Sequence, residues 1–248
     1  MAKLIKRNDG RKVDDLRPVK ITRHFTCYAP GSVLIEMGQT RILCTAMYEV
    51  GVPAWRKGSG KGWVSAEYGM LPSSTPERKR RSEGKVDGRS QEIQRLVGRA
   101  LRAVVDMDSM GENSIWIDCD VLQADGGTRT ASITGAYVAL VDAVESAMKA
   151  GVFTKSPIRS SVAAVSAGIV CGRVLLDLDY SEDSVAEVDF NVVMTGKGEL
   201  VEVQGTAEHG TFSPKELQQI LSVAGKGIRK LQTLQKQSFN KDKPGKKK

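Results

Sequence analysis

Residues 114–122 alternate cleanly, with Ile115, Ile117, Cys119 and Val121 on one face and Trp116, Asp118 and Asp120 on the other. A period of two predicts a half-buried strand. The alternation stops at Ala124-Asp-Gly-Gly127, and from Thr130 an Ala-rich pattern predicts a helix to about Met148. Upstream, residues 19–28, 32–36, 40–50 and 63–70 read as strands, broken at Pro30-Gly31, at Gly38-Gln39 and by a loop over 51–62. The spacing over 19–50 predicts a meander of short antiparallel strands, with 63–70 as a further strand after the loop. Residues 90–105 carry Ile93, Val97, Ala100, Leu101 and Val104 at helical spacing, with Glu92, Arg95, Arg99 and Arg102 on another face. Downstream, 161–170 and 173–180 predict paired strands joined at Cys171-Gly172, followed by strands over 185–194 and 199–204. Ser213-Pro-Lys-Glu216 then has the form of a capping box, opening a helix to about Gln235. Strands and helices are mixed throughout, an α/β (α+β) pattern.

Three stretches carry candidate chemistry. The strand, Gly-Gly turn and helix start at 121–132 offer free backbone N–H groups, the hydroxyls of Thr128, Thr130 and Ser132, and the guanidinium of Arg129. A helix N-terminus carries roughly half a positive charge, which suits a small oxyanion. A Gly-Gly-Thr turn alone reads rather as a helix cap; the added fork-shaped Arg129 shifts the balance towards an anion site. The second stretch is residues 78–102, with nine Lys or Arg against three acidic residues. Its first part, before Ile93, has neither aromatic residue nor apolar period, so it reads as an exposed loop, either simply solvated or gripping a polyanion by its phosphates. The Arg stripe that follows suits a solvated face, a subunit contact or a substrate wall, and spacing does not choose. The third is an acidic run within thirteen positions, in which five carboxylates, Asp177, Asp179, Asp183, Glu187 and Asp189, stand out as candidates. Asp177 and Asp179 share one strand face, and Glu187 and Asp189 another. Such a set is either a wet sheet face or an all-oxygen site for Mg²⁺ or Mn²⁺. A fourth stretch, Gly58-Ser-Gly-Lys-Gly62, fails as a nucleotide-binding P-loop, because Trp55 stands where Gly is needed and Gly62 where Ser or Thr is needed.

Composition narrows the class. The chain has 248 residues, 40% hydrophobic and 27% charged, ordinary for a globular protein with a proper core. Its formal charge is +8, but residues 236–248 hold six Lys against one Asp. This tail is expected to be basic and disordered. No uncharged run approaches the roughly 20 residues of a membrane span, so no membrane partner is expected. Four widely spaced cysteines without a CxxC pair read as reduced core thiols of a cytoplasmic protein, and with only two His a His-rich zinc site is excluded. Aromatic residues are 5% of the chain, which offers no evident base-stacking platform.

Three motifs in order, residues 88–102 (GRSQEIQRLVGRALR), 125–136 (DGGTRTASITGA) and 176–195 (LDLDYSEDSVAEVDFNVVMT), closely resemble the ribonuclease PH family, phosphate-dependent exoribonucleases that trim the 3′ ends of tRNA precursors. The likeness runs from about Arg11 to Gln235. It implies the ribonuclease PH fold, in which two similar β-α halves pack in the manner of ribosomal protein S5 domain 2, as one catalytic domain over 1–235. It also implies a homohexameric ring, a trimer of dimers. Inorganic phosphate would be the co-substrate, seated on Arg89, Gly127, Thr128 and Arg129. Asp183 and Asp189 match the metal and acid/base positions, for Mg²⁺ or Mn²⁺, with Asp183 as the proton donor and Arg129 as the further catalytic group. Arg78, Lys79, Arg80 and Arg81 match the loop that holds the tRNA body, and Arg99 a position facing RNA or phosphate. The expected partners are tRNA precursors and other RNA 3′ ends. The rival expectation is a non-catalytic RNA-binding ring subunit of the same fold, which would be expected to lack Arg89, Arg129 or the aspartates; all are present here.

Overall fold

A computed structural model describes residues 7–80 and 87–241. The first half of the chain forms β1 (Val19–Arg23), β2 (Gly31–Met37), β3 (Thr40–Val50), β4 (Trp63–Met70), α1 (Gly88–Arg102), β5 (Asn113–Gln123) and α2 (Thr128–Lys149). The second half forms β6 (Val162–Val170), β7 (Arg173–Leu176), the short α3 (Tyr180–Asp183), β8 (Val188–Thr195), β9 (Leu200–Ala207) and α4 (Pro214–Lys241). Two sheets result, a five-stranded one in the order β1-β2-β3-β5-β4 and a four-stranded one in the order β7-β6-β8-β9. This is the mixed α/β architecture with two β-α halves that the sequence predicts.

The antiparallel meander expected over 19–50 forms as β1, β2 and β3, and the further strand expected over 63–70 forms as β4. β4 lies parallel to β5, with Trp63 opposite Ser114 and Met70 opposite Val121. A parallel pair needs a crossover longer than a hairpin turn, and α1 supplies it. Consequently the C-terminal ends of β4 and β5 sit side by side, and both chain segments leave the sheet at the same edge.

Helix α2 is the centre of the packing. Nearly every residue from Thr128 to Leu140 is buried, because the helix lies between the two sheets and has no solvent face over that length. Small residues permit this. A Cβ on Gly135 would come within 2.7 Å of the Ile35 side chain and 2.9 Å of the Cys44 sulfur. One apolar core runs from β2, β3 and β5 through α2 into β6, β8 and α4. A burial of this kind stabilises by about 25 cal/mol per Å² of apolar surface, so the halves are held together by their shared core.

Several sequence expectations shift. α1 starts at Gly88, two residues early, because the Asp87 carboxylate accepts from the Ser90 N–H at 2.7 Å and caps it. α4 runs to Lys241, so 236–241 continue the helix instead of opening a disordered tail. Phe239 packs on the core, the Arg23 guanidinium lies over its ring at 5.0 Å, and Arg23 also donates to the Ser238 carbonyl at 3.2 Å. Residues 242–248 lie outside the described residues. Of the four thiols only Cys44 and Cys119 are buried, facing each other across β3 and β5, whereas Cys27 and Cys171 are exposed. Among the described residues no helix is long and apolar enough to cross a membrane.

Candidate active site

The edge where β4 and β5 end opens onto a cavity of ≈ 890 Å³ between the two halves. Its first wall is the Gly-Gly turn. β5 stops at Gln123, and Gly126 and Gly127 both adopt positive φ, 73° and 64°. Gly126 must be glycine on a second count: a Cβ there would lie 2.6 Å from the Leu178 carbonyl oxygen. The turn is pinned from below. Thr40 donates its hydroxyl to the Gly126 carbonyl at 2.8 Å and accepts from the Asp125 N–H at 3.0 Å. Arg17, buried, donates to the carbonyls of Asp125 and Gly126 and is itself held by the Asp177 carboxylate at 2.7 Å.

Helix α2 then begins at Thr128, not Thr130, so the N–H groups of its first turn, which have no intrahelical acceptor, face the turn that the two glycines shape. The Tyr68 hydroxyl on β4 donates to the Thr128 hydroxyl at 2.9 Å, leaving that hydroxyl's own proton for another acceptor. Arg129 donates to Gln204 on β9 at 2.8 Å and to Glu92 on α1 at 3.3 Å, which stretches its guanidinium between the two halves. Arg89, exposed at the start of α1, lines the same cavity, as do Arg78 and Lys79. The structure therefore brings Arg89, Gly127, Thr128 and Arg129 together on one wall.

The opposite wall is acidic. Asp183 ends α3, and Asp189 and Asn191 project into the cavity from alternate positions of β8. Burial pushes the Asp183 carboxyl above its usual range, against the pull of Arg89 and Arg129. Asp189 is pushed up to about 6, first by burial and then by the neighbouring Asp183, with Arg129 opposing. The Asn191 amide donates to Asp189 at 3.5 Å. Asp183 thus raises the proton affinity of Asp189, and the two half-buried carboxylates together can hold one proton near pH 6.

The remaining carboxylates of the acidic run belong elsewhere, and the strand face expected of Asp177 and Asp179 does not form, whereas Asp189 and Asn191 do share one on β8. β7 stops at Leu176, because Asp177 turns left-handed at φ 53° to reach Arg17, both its backbone N–H and its guanidinium. Asp179 caps α3 in a capping box with Glu182, and Glu187 accepts from the Gly172 N–H at 3.1 Å. Only Asp183 and Asp189 of the five face the cavity.

Among the described residues no group of three or more His, Cys, Asp or Glu is placed to hold a metal. A pair of carboxylates nevertheless fits Mg²⁺, which is commonly bound by one or two carboxylates and completes its octahedron with water and substrate phosphates. The carboxylates here are oxygen donors with raised proton affinity, the state a divalent cation relieves.

Not every expected residue converges. Arg99 lies outside the cavity, on α1 beside a smaller groove of ≈ 320 Å³, and pairs with Glu202 at 3.3 Å. Arg80 is exposed and Arg81 lies outside the described residues. Sequence reasoning missed Arg17, Tyr68, Gln204, Glu208 and His209. Arg17 touches its partners across more than a hundred positions, and no local pattern marks it.

Residues 15–144 match the first domain of the 3′ exoribonuclease family, and residues 160–227 match its second. Solved structures agree on the fold. The Archaeoglobus fulgidus exosome with RNA bound to its active site superposes with a TM-score of 0.80 at 24% identity, covering 92% of each chain. An archaeal exosome core gives 0.77 at 23% identity over 93% of this chain and 91% of that one, and rice (Oryza sativa) Rrp46 gives 0.77 at 19% over 94% and 100%. With both of its domains present in order, this chain belongs to the 3′ exoribonuclease family, the family of ribonuclease PH.

Proposed function

We propose that this chain is a phosphate-dependent 3′-to-5′ exoribonuclease that trims the 3′ ends of tRNA precursors in the cytoplasm, working within a homohexameric ring, a trimer of dimers. The observation that carries the reading is the pairing of walls: a cationic seat and a desolvated carboxylate pair face each other across one cavity. Phosphate and an RNA phosphodiester repel each other, so bringing them together is first an electrostatic task. Arg89, Arg129, the Thr128 hydroxyl and the first turn of α2 would hold inorganic phosphate. The Arg129 guanidinium would trade Glu92 for the anion while keeping Gln204.

One phosphate oxygen then attacks the terminal phosphodiester. The new P–O bond forms as the bond to the 3′ oxygen of the preceding nucleotide breaks, that oxygen takes a proton, and a nucleoside diphosphate leaves. The proton comes from the Asp183–Asp189 pair. Sequence alone pointed to Asp183 as donor; the stronger upward push on Asp189 favours assigning the proton to the pair. Asp183 and Asp189 would also hold Mg²⁺ or Mn²⁺, whose charge would neutralise the non-bridging oxygens of the scissile phosphate. The phosphodiester bond broken is exchanged for the phosphoanhydride bond of the diphosphate with no loss to water, so the reaction would run in either direction with the supply of phosphate and diphosphates. Arg78 and Lys79 at the mouth suit the backbone of a structured RNA beyond the cavity.

The test is a tRNA carrying a few extra 3′ nucleotides, incubated with and without phosphate. Stepwise shortening only with phosphate, with nucleoside diphosphates released, is the expected result; shortening without phosphate, or none, would overturn the proposal.

A further inference from the structure

One aromatic residue of the cavity has no structural duty. Tyr180 is 62% exposed, and among the described lining residues it is the only Phe, Tyr or Trp. Its backbone, by contrast, is held firmly. The Tyr180 N–H donates to the Asp125 carboxylate at 3.3 Å, the Asp179 capping box fixes the turn before it, and Gly126 packs so closely that a Cβ there would lie 2.9 Å from the Tyr180 nitrogen. The residue is therefore anchored through its backbone to the phosphate-binding turn while its ring stays largely exposed. Tyr180 also stands three residues before Asp183 in α3, one turn away and on the same side of the helix.

We infer that Tyr180 is the stacking platform for the 3′-terminal base of the RNA. The inference rests on the phosphorolytic reading for its placement of the scissile phosphate between Arg129 and Asp183. The ribose that follows that phosphate carries the terminal base, and the nearest open aromatic face on this wall is the Tyr180 ring. Stacking needs a π-face only, which every base has, so such a platform orients the last nucleotide without choosing its identity. The scarcity of aromatic residues in the chain does not argue against it, since one ring in the right place serves one base.

The experiment is binding without phosphate, so that no turnover is needed, read by fluorescence anisotropy. The probes are a short 5′-labelled oligoribonucleotide and the same strand ending in an abasic ribonucleotide. Wild type should bind the intact strand about tenfold more tightly than the abasic one. Tyr180→Ala should lose that preference and bind both as wild type binds the abasic strand, while Tyr180→Phe should retain it. A wild type that does not distinguish the strands, or a Tyr180→Ala protein that distinguishes them as wild type does, would overturn the inference. A merely structural role would weaken both strands alike. Adding phosphate afterwards tests the underlying reading separately: base preference without diphosphate release would uphold the platform and sink phosphorolysis.

Discussion

Asp177, Asp179 and Glu182 are neutralised where they stand; Asp183 and Asp189, a few residues on, are not. Arg17 meets Asp177 at 2.7 Å, Arg7 meets Glu182 at 2.6 Å, and Arg11 reaches Asp177, Asp179 and Glu182 at 3.6–3.8 Å. Asp183 feels Arg89 and Arg129, and Asp189 feels Arg129, only through space, and both are raised by burial. The first group clamps residues 7–17 and the Gly126 turn to the second half of the chain. The second group keeps proton affinity and lone pairs for something that is not part of the chain. Glu187 aside, which serves the Gly172 turn, carboxylates of the same run thus divide into scaffold and site according to whether an arginine is within reach.

The largest effect that would break this contrast is on the scaffold side. Asp177→Ala leaves the Arg17 guanidinium buried without its partner, which should cost about 3–5 kcal/mol of unfolding free energy. Denaturant titration measures it, and a change below about 1 kcal/mol would mean that Asp177 is not the scaffold it is taken for. On the other wall, Arg129→Ala should leave stability nearly unchanged and lower phosphorolysis on the order of hundred- to thousand-fold, the loss of about 3–4 kcal/mol of oriented charge. Parallel loss of folding and activity would erase the distinction between the groups.

A smaller effect sharpens it. Asp189 has a folded pKa of about 6, above its ordinary 3.8, so the folded state binds this proton more tightly than the unfolded one. The stability that this proton confers is fully present below about pH 4 and lost as pH rises through about 6. Asp189→Asn keeps the uncharged form at every pH. It should therefore raise the melting temperature above pH 7, by about 1–2 kcal/mol of stability, give no gain near pH 4, and abolish activity. A variant that melts lower at pH 8 would place Asp189 with the scaffold carboxylates.

Much of this was legible in the sequence, for identifiable reasons. The strand–Gly-Gly–helix unit at 121–140 announces itself because a period of two gives way to glycine and then to a helical pattern, all within local reach. Arg129 adjoins that unit and was found with it, whereas Arg89, at the start of α1, was singled out by the resemblance to the family. The split of the acidic run was not readable from spacing. Asp177 leaves the strand because Arg17, 160 positions away, draws it into a left-handed turn. The resemblance to the family singled out Asp183 and Asp189, but their difference from Asp177 is a matter of which arginine folds back where. The pairing of β4 was likewise not readable locally, since only the crossover through α1 makes it parallel to β5 and brings the Tyr68 hydroxyl to Thr128. The tail misled for a similar reason: a basic, polar end hides Phe239, whose partner Arg23 comes from the first strand.

The central claim is that the cationic seat holds the nucleophile and that this nucleophile is phosphate. Radiolabelled orthophosphate tests it most directly, in a reaction with an RNA bearing an unlabelled 3′ extension. The account predicts label in the β-phosphate of the released nucleoside diphosphates, in one-to-one proportion to nucleotides removed, and its disappearance in Arg129→Ala. Release of unlabelled nucleoside monophosphates would mean that water attacks, and would contradict the assignment of Gly127, Thr128 and Arg129 as the phosphate seat.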